Sequence, residues 1–266
     1  MSAAGPLVVC LVAVALYALG GRGRTRIGRE VAFYCGVVSV LAVLEPPFDG
    51  WADTSFTLHM TQHVVLLTIA PPLIVLGRPW PRLWLPFPLR VRRAVARGLA
   101  GSAAFRVVGR TLTRPPVALA VMAATLGIWH VPAFYDAAVE HESIHIAEHV
   151  SFVLTALLYW GPLLEAPPVR ARIDHLRRAA WFAAGLVPGW ILAIVLAYAS
   201  TPLYHAYAAL PQRPGGFSAL TDQQLAAGVM WVPGSLAFLI AGFVSVYRWL
   251  EPQSPLEPRT EELSWT

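Results

Sequence analysis

The chain contains no lysine; all 20 of its basic residues are arginine. A retinal-type Schiff base is therefore excluded, because it requires a lysine amine. Cysteine is nearly absent: Cys10 and Cys35 each stand alone in an apolar run, which excludes a disulfide-stapled secreted domain. Charge is scarce too. Of 266 residues, 13% are charged and 56% apolar, whereas a soluble domain has about 25% charged and roughly 45–50% apolar residues. That much apolar surface also excludes intrinsic disorder. There is no P-loop, dinucleotide fingerprint, CxxC or GxSxG motif. The composition is that of a polytopic, all-α membrane protein.

A helix needs about 20 mainly apolar residues to cross the hydrocarbon core. Seven runs qualify: Gly5–Gly21, Glu30–Pro46, Phe56–Gly77, Pro115–Ala133, Glu142–Leu163, Ala179–Ala199 and Gln223–Leu250. Residues 1–250 thus read as one seven-helix membrane domain, and 251–266 as a disordered cytoplasmic tail. Arginine placement sets the direction. The connections 22–29, 78–114 and 164–178, with the tail from 248, hold 4, 9, 4 and 2 arginines, and the opposite set holds only Arg213. Arginine accumulates on the cytoplasmic side. The N-terminus is therefore expected outside and the C-terminus in the cytoplasm. The stretch 78–114 has no acid, and from Leu89 to Arg110 it mixes arginines with Val91, Val95, Leu99 and Val107. Such a basic helix suits the anionic inner leaflet rather than a nucleic acid.

On this topology seven of the 8 histidines fall at or near the outer face, and only His175 is cytoplasmic. His59 and His63 are spaced i, i+4 at the outer start of the third span, so both rings project from one helix face. His141, His145 and His149 repeat that spacing at the outer start of the fifth span, with His130 at the outer end of the fourth. Paired imidazoles at i, i+4 are a common way for a helix to offer two nitrogens to one metal ion. Ionisable groups inside membrane spans are costly and tend to line functional sites. The expected ligands are therefore His59, His63, His130, His141, His145 and His149. His205 lies in the last outer loop as a further possibility. Met60 and Met230 could add thioethers, which favour the cuprous ion. Glu148 and Asp222 could fix a histidine tautomer by hydrogen bonding.

Three blocks of sequence carry a resemblance. The first is His59-Met60-Thr61-Gln62-His63 with Ala70-Pro71-Pro72-Leu73 and Leu76-Gly77-Arg78-Pro79. The second is Trp129-His130-Val131-Pro132, Phe134-Tyr135-Asp136 and His141 through His149. The third is Thr221-Asp222-Gln223-Gln224 with Met230-Trp231-Val232-Pro233-Gly234. In this order they resemble the CtaG family of multi-pass membrane proteins associated with cytochrome c oxidase assembly. The resemblance implies a non-enzymatic assembly factor in the bacterial plasma membrane, partnered by oxidase subunits, with copper as the usual suggestion. The oxidase's copper centres lie at or toward the outer side, where the arginine distribution places the histidines. The expectation is therefore copper binding at the outer cluster and transfer to the oxidase. Two alternatives stay open: a membrane metalloenzyme, either a zinc hydrolase or a di-iron oxidase, and a b-type haem protein.

Overall fold

The structure is a computed structural model describing residues 5–21, 26–167 and 173–251. The tail from 252 onward, and with it the expectation of disorder there, lies outside the described residues. Among the described residues there is no strand. The helices are α1 (Gly5–Leu19), α2 (Ile27–Leu44), α3 (Phe48–Ala52), α4 (Phe56–Leu76), α5 (Pro79–Trp84), α6 (Leu89–Gly101) and α7 (Ala103–Leu112). They continue with α8 (Pro115–Trp129), α9 (Pro132–Glu140), α10 (Glu142–Leu163), α11 (His175–Tyr198), α12 (His205–Ala208) and α13 (Ala219–Leu250).

Five of these, α2, α4, α10, α11 and α13, are long and apolar enough to cross a membrane. A sixth arises if α7 and α8, bent by 76° at their junction, count as one span. α1 is apolar but has 15 residues, a rise of about 22 Å against a hydrocarbon core of about 30 Å. Among the described residues the lengths therefore give five or six full spans where the hydropathy pattern suggests seven. The outward faces of the long helices carry Val187, Ile191, Val195, Leu236, Ile240 and Phe243, all exposed. Helices apolar on every side belong in lipid.

The expected basic helix between Leu89 and Arg110 is two helices. Ser102 leaves helical geometry (φ −78°, ψ 114°), and its hydroxyl accepts the Phe105 N–H at 3.2 Å, restarting the chain as α7.

α4 is the central helix. Its apolar stretch is 61% buried, against 22% for α2 and 44% for α10. It packs against α2, α10 and α13, while α11 and α13 pair along their lengths. Gly185 permits that pairing: a Cβ there would lie 2.5 Å from both Phe238 Cε1 and Tyr159 Oη.

Pro71 and Pro72 lie within α4 and cannot donate to the carbonyls of Leu67 and Thr68. The helix accommodates them with a π turn over Val65–Ile69 rather than a break. The freed Leu67 carbonyl accepts Trp160 Nε1–H from α10 at 3.1 Å. The loss of one helical bond thus becomes a tie between two histidine-bearing helices.

The other end of α4 is held from across the bundle. The Asp222 carboxylate on α13 accepts Ser55 Oγ–H (2.9 Å), the Phe56 N–H (2.8 Å), the Thr57 N–H (3.1 Å) and Thr57 Oγ1–H (2.6 Å). A carboxylate here caps unpaired N–H groups and complements the helix dipole. Asp222 is therefore committed to the start of the helix, and the expectation that it orients a histidine ring is corrected. Asp222→Ala should lower stability by roughly 2 kcal/mol, read as a fall in thermal midpoint in detergent, with Asp222→Asn intermediate.

Candidate metal centre

α4 and α10 face each other across the residues that their helical register aligns. His59 and His63 project from α4, and His145, Glu148 and His149 from α10. The His59 ring stacks on His145 at 5.1 Å between centroids, and His63 meets His149 at 5.3 Å. Within each helix, His59 and His63 are 4.4 Å apart and His145 and His149 4.2 Å. His130 caps the end of α8 and lies 5.7 Å from His63. His59, His63, His130, Glu148 and His149 are buried, and His145 is half-buried.

Two ring tautomers follow from counting protons. Tyr207 Oη–H donates to the Ala52 carbonyl at 2.9 Å, and a carbonyl can only accept. Burial pushes the Tyr207 hydroxyl well above its ordinary pKa, so it keeps that proton. Its contact with His59 Nδ1 at 2.8 Å must then use the proton of His59. Nε2 of His59 is left with a lone pair, which accepts His63 Nε2–H at 2.9 Å. Likewise His130 Nδ1–H donates to the Leu126 carbonyl at 2.8 Å, leaving its Nε2 as a lone pair.

Around these lone pairs the polar atoms lack partners. His63 Nδ1, His130 Nε2, His145 Nε2, both nitrogens of His149 and both oxygens of Glu148 are buried without a hydrogen bond. Glu148 Oε1 comes no closer to His63 Nε2 than 3.7 Å. Buried polar groups are almost always satisfied, and each orphan costs about 1–3 kcal/mol. Ligand atoms of His59, His63, Glu148 and His149 lie within 4.8 Å of one another. Nitrogen and carboxylate donors gathered this closely could hold a metal ion.

The cytochrome c oxidase caa3 assembly factor family, as a sequence model, matches residues 10–252. The chain belongs to that family. An uncharacterized protein of Mycobacterium bovis and another of Mycobacterium tuberculosis are each 22% identical to it over 257 residues, covering 94% of this chain and 38% of the relative. The chain thus spans well under half the length of these curated relatives. No solved structure matches it.

In this assembly-factor family member, five of the expected histidines gather at the centre, and His141 stands apart. It is exposed, with non-helical φ −126° and ψ 111° as the N-cap of α10. The i, i+4 register therefore begins one residue after it and does not carry its ring inward. His205 is also exposed, opening α12, where its N–H donates to Asp136 Oδ2 at 3.3 Å. Met60 is fully buried in the main apolar core, and Met230 lines a small cavity beside His63 with Met122, Leu126 and Pro188.

Tyr207 and Tyr135 complete the surroundings, and sequence spacing pointed to neither as a site residue. Tyr135 lies 5.5 Å from His59 and 5.8 Å from His130, with its hydroxyl buried and unpartnered. Tyr207 sits in a long connection where no helical period links it to α4. Because the unpartnered atoms burden the fold, Glu148→Met, similar in volume, should raise the stability of metal-free protein by roughly 1–3 kcal/mol. A thermal melt in chelator checks this.

Proposed function

We propose that this family member binds copper as cargo at His59, His63, His149 and Glu148, with His130 and His145 adjoining, and passes it to a cytochrome c oxidase subunit. The observation that carries the proposal is the concentration of buried, unpartnered donors around His59 and His63. Imidazole-rich sets suit copper, zinc and iron, and copper stands highest in the divalent affinity order. Family membership in oxidase assembly favours copper among them. Rings packed 4.2 to 6.1 Å apart leave no slot as wide as a porphyrin, which favours a bare ion over haem.

We read the topology as seven crossings, with α1 and α8 as short ones, in a bacterial plasma membrane with the N-terminus outside. The connections bearing His130, Tyr207 and Ser55 converge at one end, joined by Tyr204 to the His130 carbonyl and by Tyr207 to Ala52. Among the described residues the opposite end carries the arginines, apart from Arg213, which donates to the Tyr207 carbonyl. Two of them are buried in ion pairs, Arg82 with Glu30 at 2.8 Å and Arg178 with Glu165. There α6 and α7 expose Val91, Leu99, Phe105 and Val107 among their arginines, as a helix lying on an anionic leaflet does. This polarity supports a metal site that opens outward.

Elemental analysis of purified protein tests the proposal. Wild type should carry copper, and the His59→Ala, His63→Ala double variant should lose it while remaining inserted. In a strain deleted for the chain, wild type should restore oxidase activity and the double variant should not. Stoichiometric zinc or iron in place of copper would support a metalloenzyme instead.

Tyr207→Phe should weaken copper affinity about 10–100-fold without loss of fold, since outer hydrogen bonds to metal-binding histidines typically contribute that much. Competition with a chelator measures the change.

A further inference from the structure

The cluster holds more donors than one ion takes, and from this excess we infer that it binds two copper ions, sharing Glu148. The inference rests on the copper proposal above. His59, His63, Glu148 and His149 already suffice for one four-coordinate ion. Two further histidines stand beyond that set, each with a buried Nε2 that has no partner, His145 on one side and His130 on the other. The ring contacts order the cluster. His145 packs on His59 (5.1 Å) and His149 (4.2 Å), His59 meets His63 (4.4 Å), and His63 meets His130 (5.7 Å). The donors thus form an elongated row with an imidazole to spare at each end.

Glu148 lies on α10 between His145 and His149, fully buried, with both carboxylate oxygens unpartnered. A carboxylate with two free oxygens can clamp a pair of ions, which in two-metal sites lie about 3.5–4 Å apart. One ion would use the end with His145, His59 and His149, the other the end with His63 and His130.

Charge sets the oxidation state. Glu148 is the one carboxylate in the grouped donor set, because Asp222 is committed to the start of α4. Two cuprous ions and one carboxylate leave a single net positive charge; two cupric ions would leave three. Uncompensated buried charge is costly, so the pair is cuprous.

The test uses the full chain in detergent, loaded anaerobically with cuprous ion, desalted and analysed for copper per protein. Wild type should hold two coppers, and His130→Gln and His145→Gln should each hold one. X-ray absorption of the wild type should show copper–copper scattering, which both variants should lose. One copper in the wild type, without copper–copper scattering, would overturn the two-ion inference and leave the copper proposal intact. Two coppers that neither variant lowers would overturn the assignment to these ends. No copper in the wild type would overturn the copper proposal itself. The absorption spectrum of wild type decides the question even if a variant fails to fold.

Discussion

The histidine centre depends on where α4 begins, and one carboxylate determines that. Asp222 reaches from α13 to the first turn of α4 and accepts from Ser55, Phe56 and Thr57 together. With its start fixed, the register of α4 places His59 and His63 one turn apart on the side that faces α10. Farther along, the prolines open the π turn, and Trp160 of α10 takes the carbonyl they release. The two helices that supply most of the donors are thus connected at a level away from the donors themselves. This frame holds α4 and α10 at a spacing at which several of the polar atoms between them stand unpaired.

Division of labour among the helices follows. α4, α8 and α10 present the imidazoles and Glu148. α11 and α13 pack on each other through small residues such as Gly185 and Gly242 and contribute no imidazole to the cluster. Their outer faces are apolar, and α13 serves the centre through Asp222 at the start of α4 and through Met230, which lines the cavity beside His63.

Much of this was legible in the sequence because it is periodic. The i, i+4 spacing identified His59 with His63 and His145 with His149, and the long apolar runs gave the main helices, α10 to its exact residues. The same periodicity failed at His141, where the chain has not yet entered helical geometry. It also failed at Ser102, where a cap divides what hydropathy joined. Helix length alone leaves α1 and α8 short of a full crossing, because their apolar runs include residues that lie outside the helix. Tyr207 and the true partner of Asp222 were not legible at all. Both interactions join positions roughly 150 residues or more apart, and no local pattern encodes a contact between such distant parts of the chain.

Tyr207 donates its hydrogen bond to the backbone carbonyl of Ala52 rather than to a carboxylate. A peptide carbonyl has no acid–base chemistry in the biological range and adds no formal charge. The orientation of His59 is therefore referred to a group indifferent to the acidity of its surroundings. A carboxylate in that place would have brought a second buried negative charge and a titration of its own. With an amide as the final acceptor, the direction of the His59 lone pair is a property of the chain's covalent backbone.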